Sequence, residues 1–397
     1  NTGESVFLGE GAGVNDDLST NENVFIGRSA GNQNVSGVGN TAIGAYSLQS
    51  SSTASQNTAI GHYTLSTNLS GSGNTAIGAL SMIYNESGGA NTAIGHQSLS
   101  NNISGIYNTA IGFFSLTSNT IGNYNTAIGA KSLEMNTTGA GNTSVGENSL
   151  EYNTQGSSNT SIGRGSLMNN INGHYNSALG TGSMILTTSG NYNTACGYLA
   201  LYSNNAGSYG TALGAFAMRY ANNQSASFQN SNVAVGYEAL RGSTTPADNT
   251  GLWNTAIGHR TMVECTSGYQ NTAVGASSLR SVQSGFDNSA FGSWSLQMNT
   301  TGYFNTALGM ASMAANTIGY HNVAVGASSL SSLVNGWNNV ALGAVALSLA
   351  DGSQGNVAIG ADALRDMVQG DGNIAIGAFA MEEHQTGGNN IAIGGGG

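Results

Sequence analysis

Small, apolar and polar residues recur with a period of seventeen along almost the whole chain. The phrase Asn-Thr-Ala-Ile-Gly first appears at residues 40–44 and returns in steps of seventeen. Its Asn stands at Asn40, Asn57, Asn74, Asn91, Asn108, Asn125, Asn142, Asn159, Asn176 and Asn193, and again from Asn254 to Asn390 with the same step. A fixed short period predicts a stacked architecture in which each repeat contacts only its neighbours.

Counting from the Asn as position zero, position one drifts along the chain towards the aliphatic character that position three keeps throughout. Position three is always apolar, as at Ile43, and position one is mostly Thr early, as at Thr41, and Val or Ile late, as at Val357. Alternate residues of a strand point to the same side. We therefore expect positions one and three to face the interior, and position two, which is Ala or Ser in nearly every repeat, to form a small, flat outer face.

The rest of the repeat predicts a corner, a second short strand and a turn. Position four is Gly in every repeat, which suggests a positive φ or a corner without room for Cβ. Position eight is Leu or Met, and an Asn followed by Gly then favours a turn. No helical period survives the glycines. The predicted fold is an all-β, parallel β-solenoid of about 23 coils with a 17-residue repeat.

We expect a single solenoid domain over residues 1–397, with two non-standard coils at residues 1–39. Two consecutive steps, from Gly210 to Asn232 and from Asn232 to Asn254, are 22 residues long and place a double insertion at about residues 219–253. The chain begins at Asn1 without a leader and ends just after a repeat, so we interpret it as a segment of a longer protein.

Charge excludes some classes of partner. Only 7% of residues are charged and the net charge is -11, which argues against nucleic acids and anionic membrane surfaces. No apolar run reaches transmembrane length, so direct membrane insertion is not expected. The two cysteines, Cys196 and Cys265, lie three coils apart, which is too far for an intrachain disulfide.

Each coil offers only about three medium-sized apolar side chains for burial, which is little for seventeen ordered residues. The flat Ala face would let a second chain pack closely, and we therefore expect a homo-oligomer.

The phrase Val-Ala-Ile-Gly at residues 357–360, with its variant at residues 374–377, resembles the head repeats of trimeric autotransporter adhesins. The longer form, Asn-Thr-Ala-Ile-Gly-x-x-Ser-Leu with a later Asn and Gly, is similar to repeats in bacterial and phage fibre proteins, many of which end in an endosialidase-type chaperone domain. The resemblance implies a left-handed β-roll assembled as a homotrimer. It also implies an extracellular fibre or adhesin at the cell surface, or alternatively a virion tail.

Two features are candidates for contact with a glycan or a cell-surface receptor. The first is a column of aromatic residues on five successive coils, which structural stacking or a subunit interface explains and which could also hold sugars: Tyr269, Phe286, Tyr303, Tyr320 and Trp337. The second is the double insertion, whose loops should form one bump near Phe228, Pro246 and Trp253. A tolerated loop insertion explains this bump as well.

Catalytic and metal-binding patterns are missing. The histidines share a variable column, and no calcium-binding repeat, nucleophile elbow or paired-acid spacing occurs. A recurring Asn column, for example Asn102 and Asn119, is explained by amides that hydrogen-bond in register. We therefore expect no catalysis, cofactor or metal, and a rigid structural segment for attachment or spacing. The alternatives are an ice-binding solenoid, suggested by the Thr column, and a glycan-binding phage-type tail fibre.

Overall fold

The computed structural model describes residues 4–396, which belong to two compact units, Asn1–Asn193 and Thr194–Gly397. The strands of the first unit are β1 (Val6–Leu8), β2 (Val24–Ile26), β3 (Thr41–Ile43), β4 (Thr58–Ile60), β5 (Thr75–Ile77), β6 (Thr92–Ile94), β7 (Thr109–Ile111), β8 (Thr126–Ile128), β9 (Thr143–Val145), β10 (Thr160–Ile162) and β11 (Ser177–Leu179). Each strand is three residues long and forms one side of a coil.

The second unit repeats the arrangement and adds two short strands and one turn of 3-10 helix. Its elements are β12 (Thr194–Cys196), β13 (Gly207–Ser208), β14 (Thr211–Leu213), β15 (Phe228–Gln229), β16 (Val233–Val235), the 3-10 helix Pro246–Asp248, β17 (Thr255–Ile257), β18 (Thr272–Val274), β19 (Ser289–Phe291), β20 (Thr306–Leu308), β21 (Val323–Val325), β22 (Val340–Leu342), β23 (Val357–Ile359), β24 (Ile374–Ile376) and β25 (Ile391–Ile393). The pair β13 and β15 forms a separate two-stranded sheet.

Within each unit, successive coils pair through parallel strands in register. Thr109 of β7 lies opposite Thr126 of β8, and Ala110 lies opposite Ala127. Identical positions of the repeat therefore stack in columns. The predicted fold class, an all-β parallel solenoid of about 23 coils with seventeen-residue spacing, is confirmed.

The predicted orientation of the strand is wrong. Ala127, at position two, is completely buried, whereas Ile128, at position three, is 38% exposed and Thr126 is only partly buried. The interior is narrow, because Leu133 at position eight already fills much of it and is completely buried. Only a methyl or hydroxymethyl group fits opposite it. The small Ala and Ser column is thus the core, and it cannot serve as the flat association face that we expected.

The predicted glycine corner is confirmed. Gly129 has a φ of +127°, and a Cβ at this position would lie 2.7 Å from the carbonyl carbon and oxygen of Gly146 on the next coil. Both the backbone conformation and the close approach of the next coil therefore require glycine. The second strand that we predicted after the glycine corner is absent from the regular seventeen-residue coils. After the corner the chain forms turns in which Phe114 and Leu116 have positive φ, although Leu116 N–H still donates to Ser132 O on the next coil.

Two columns of buried Asn amides join the coils. In one, Asn119 Nδ2 donates to Asn102 Oδ1 at 2.9 Å and Asn136 Nδ2 donates to Asn119 Oδ1 at 2.8 Å. In the other, formed by position zero, each Asn Oδ1 accepts from the backbone N–H of the next Asn, as Asn108 Oδ1 does from Asn125. The predicted amide ladder is confirmed, and it satisfies polar groups that the narrow core would otherwise leave unpaired.

The position-zero column runs to a carboxylate near the start of the first unit, and Asn34, which Ser51 separates from the other column, reaches the same carboxylate. Asp16 Oδ2 accepts from Asn23 Nδ2 at 3.2 Å and from Asn34 Nδ2 at 3.0 Å. Its other oxygen accepts from Leu18 N–H and from Asn21 Nδ2. Carboxyl oxygens accept hydrogen bonds, and Asp16 therefore suits the end of a ladder whose first members still have donors to place.

Candidate binding surfaces

The first candidate surface is the outward strand face, defined here as the side chains at positions one and three. Strand pairing in register places Thr above Thr and Ile above Ile in two parallel columns. In the last five strands, β21–β25, position one is Val or Ile, so both columns become aliphatic there. Ile128, Ile162 and Leu308 are among the side chains of position three that remain more than a third exposed. Repeated apolar columns of this kind are unusual on a solvated surface.

The second candidate surface is the aromatic column. Its five members stack face to face, with ring centroids 4.9 Å apart from Tyr269 to Tyr320 and 5.7 Å apart between Tyr320 and Trp337. The rings are nearly parallel, with interplanar angles of 1–6°. Because each inner ring has both faces covered by its neighbours, the column presents ring edges to solvent. The predicted stacking is therefore present, and sugar rings could stack only on its two ends.

The third candidate surface is the double insertion of the second unit. Its two loops meet, since Asn249 Nδ2 donates to Tyr220 O and Trp253 N–H donates to Asn230 O at 3.5 Å. Phe228 lies on β15 at the edge of this contact, and Trp253 is 53% exposed. Pro246 begins the exposed 3-10 turn. The insertion thus brings Phe228 and Trp253 to the same part of the fold, while the aromatic column is a separate feature.

A small cavity of about 30 Å³ lies between the two loops. Its lining consists of Met218, Tyr220, Ala221, Asn222, Phe228, Asn230, Asn232, Leu240, Gly242, Asn249, Gly251, Asn254, Cys265 and Thr266. The amides of this cavity were not identified from the sequence. The available signal was that the loops carry extra Asn residues outside the seventeen-residue period.

A cluster of charges lies beside the insertion. Glu238 accepts from Arg260 Nε at 2.8 Å and from Arg241 Nη1 at 3.4 Å. Burial by itself raises the pKa of Glu238, but the hydrogen bond and charge of Arg260, together with Arg241, outweigh burial and hold this pKa below its ordinary value. Arg219 lies instead over the rings of Phe216 and Tyr220, at 5.0 and 4.9 Å from their centroids.

The two cysteines have different surroundings. Cys196, the third residue of β12, is exposed on the outward strand face, and Cys265 is buried. Burial raises the pKa of the Cys265 thiol to about 12, so this thiol stays protonated at neutral pH. Both are free thiols.

Residues 4–396 contain no group of three or more His, Cys, Asp or Glu side chains arranged to hold a metal ion. Over the same range, no helix has the length and apolar character needed to cross a membrane. No protein-family model matches the chain, and comparison with curated proteins finds no similar sequence.

Proposed function

We propose that this chain is a structural segment of an extracellular fibre or adhesin, and that its copies associate as a parallel homotrimer through the outward strand face. The observation that carries the proposal is the pair of exposed columns at positions one and three. A regular sheet face that places aliphatic side chains in solvent on coil after coil is best explained by a surface that another copy covers.

Symmetry supports a parallel arrangement of identical chains. Thr, Val and Ile in one copy meet the same residue types in another copy if the copies lie side by side in register. The face also carries almost no charge, so no like charges are brought together by association. The threefold order rests on the resemblance to adhesin-head repeats.

An ice-binding function is the second candidate, and one observation favours it. Thr41, Thr58, Thr75 and their successors to Thr160 point outward from a regular parallel sheet instead of inward as we expected. The neighbouring column is aliphatic instead of Thr, and in β21–β25 the Thr column is replaced by Val and Ile. The fibre function accounts for both columns, and ice binding accounts for one. Ice recrystallisation in the presence of the purified chain would separate the two.

Cys196 offers a direct test of the association face. In a parallel, in-register trimer the three Cys196 thiols lie at the same height on the faces that meet, where two of them can reach disulfide distance. Mild oxidation should therefore convert the chain to covalent dimers and leave about a third as monomer on a non-reducing gel. The Cys196→Ser variant should give no dimer, since the remaining Cys265 is buried.

Light scattering measures the association itself. We expect a particle of three times the 40.0 kDa chain mass, and the same mass for the Cys196→Ser variant. A stable particle of 40.0 kDa would contradict association. A trimer that forms no Cys196 disulfide would move the interface away from the strand face.

A further inference from the structure

The cavity between the two insertion loops contains hydrogen-bond donors that the protein itself does not use. Asn230 is 2% exposed and Asn222 is 6% exposed, and both line the cavity. Their carbonyl oxygens are occupied: Asn222 Oδ1 accepts from Gln224 N–H at 3.0 Å, and Asn230 Oδ1 accepts from Asn232 Nδ2 at 2.6 Å. These bonds fix the orientation of both amides.

Neither Nδ2 group donates to another atom of residues 4–396. In the Asn columns of the solenoid, by contrast, the Nδ2 groups are paired with amide and backbone oxygens, as that of Asn136 is with Asn119 Oδ1. The two unused donors therefore distinguish this cavity from the repeated core.

The remaining lining is part apolar and part polar, and its other amides already donate to oxygens of the chain. Met218 and Leu240 are buried, and the Phe228 ring is partly buried beside them. No lining residue carries a charge. The nearby arginines do not line the cavity: Arg241 pairs with Glu238, and Arg219 lies over aromatic rings. The cavity therefore suits a neutral group that offers an oxygen to two N–H donors and a small apolar part to Met218 and Leu240.

The size of the cavity narrows the choice. One water needs about 10–15 Å³ of such space, so a cavity of about 30 Å³ holds two or three heavy atoms and not a sugar ring. A carbonyl oxygen with its attached methyl group has this size and this division into polar and apolar parts.

We propose that this pocket binds the acetamido group of an N-acetylated amino sugar, with the sugar ring outside the mouth of the pocket. The carbonyl oxygen of the ligand accepts from the Nδ2 groups of Asn222 and Asn230, and its methyl group packs against Met218 and Leu240. The site belongs to one chain and goes beyond the proposed association, so it can be tested whatever the oligomeric state.

The test is saturation-transfer NMR and calorimetry with the full chain, using N-acetylglucosamine and N-acetylgalactosamine as probes. We expect the strongest transfer at the acetyl methyl signal and a Kd in the millimolar range or tighter. Glucosamine and glucose, which lack the acetyl group, should bind at least ten times more weakly. Equal binding of glucose, or no transfer to either N-acetyl sugar, would overturn the proposal and leave the cavity to water alone.

The matched variants are Asn222→Asp, Asn230→Asp and Asn223→Asp. The first two keep an oxygen for the existing hydrogen bond, remove the free donor and add one negative charge, and we expect each to weaken binding at least tenfold. Asn223 is exposed, and Asn223→Asp adds the same charge outside the pocket. This control variant should therefore bind the sugars like the unmodified chain. Asn222→Asp remains informative if Asn230→Asp fails to fold. Unchanged binding by a folded Asn222→Asp variant would refute the assignment of the donor.

Discussion

Replacing one buried amide of the Asn ladder should weaken the solenoid locally, and Asn119→Asp is the sharpest version of this change. Asn119 Nδ2 donates to Asn102 Oδ1 at 2.9 Å and to Gly122 O at 3.0 Å. The carboxylate keeps the shape of the side chain and the acceptor that Asn136 uses. It removes both donations and places an oxygen opposite the oxygen of Asn102.

The magnitude follows from these contacts. Asn102 Oδ1 loses its donor, at about 1–3 kcal/mol, whereas Gly122 O keeps the donation from Asn108 Nδ2 at 2.9 Å. In addition, a carboxylate enters the core without a cation. We expect a loss of about 3–6 kcal/mol for the coils around residue 119. Burial raises the pKa of the introduced carboxyl, so its protonated form, which can restore one donation, persists to higher pH in the folded chain. The loss should therefore be smaller at acidic pH and grow as the pH rises through that raised pKa.

Hydrogen exchange followed by mass spectrometry is the appropriate assay, because a stack of coils can open locally and a global melting temperature would average over it. Peptides from residues 102–136 should lose protection, and distant peptides of the same unit should not. Asn172→Asp is the control, because Asn172 is exposed and its side chain makes no hydrogen bond within residues 4–396. Equal protection in the two variants would refute the view that the ladder stabilises the coils.

Three further outcomes follow from the geometry. Gly129→Ala should lower the free energy of unfolding by about 2 kcal/mol or more in thermal melts, because the new Cβ would lie 2.7 Å from the next coil. Gly141→Ala, whose Cβ would have its nearest contact at 3.7 Å, should lower it by about 1 kcal/mol. Equal losses would contradict the corner assignment. Ala127→Asp should unfold the coils around it, as measured by circular dichroism, because Ala127 is completely buried. Ile128→Asp should leave the fold intact and reduce the particle mass measured by light scattering. The opposite result for the two variants would mean that Ile128, and not Ala127, points into the core. Because the pKa of Glu238 is lowered in the folded chain, its ion pairs contribute stability above its ordinary pKa, and this contribution is lost as the pH falls through the lowered value. Glu238→Gln should therefore make the free energy of unfolding, measured by chemical denaturation, depend less on pH in the acidic range.

The periodic part of the fold could be predicted from the sequence because it depends on local rules that repeat. A glycine at the same position of every coil predicted a special backbone conformation. Gly129 has the expected positive φ, and it lies in close contact with Gly146 of the next coil. Asn at fixed spacing required partners in register, and Asn119 and Asn136 provide them. Stacked rings followed in the same way from Tyr303 and its neighbours.

The tertiary structure decided which face of the strand is inside. Alternation along three residues separates Ala127 from Thr126 and Ile128, but it leaves two possible assignments, and larger aliphatic side chains favour the wrong one. The width of the coil decides between them, because Leu133 reaches across from the other side and leaves room for a methyl group only.

The cavity of the double insertion also depended on the tertiary structure. The sequence located the bump near Phe228, Pro246 and Trp253, but loops outside the repeat follow no column, so their partners cannot be read from spacing. The buried positions of Asn222 and Asn230 arise only when the two loops close on each other across adjacent coils. Strand register, which follows from the repeat, therefore determines the repeated scaffold, whereas the cavity of the double insertion is determined by packing between loops that share no period.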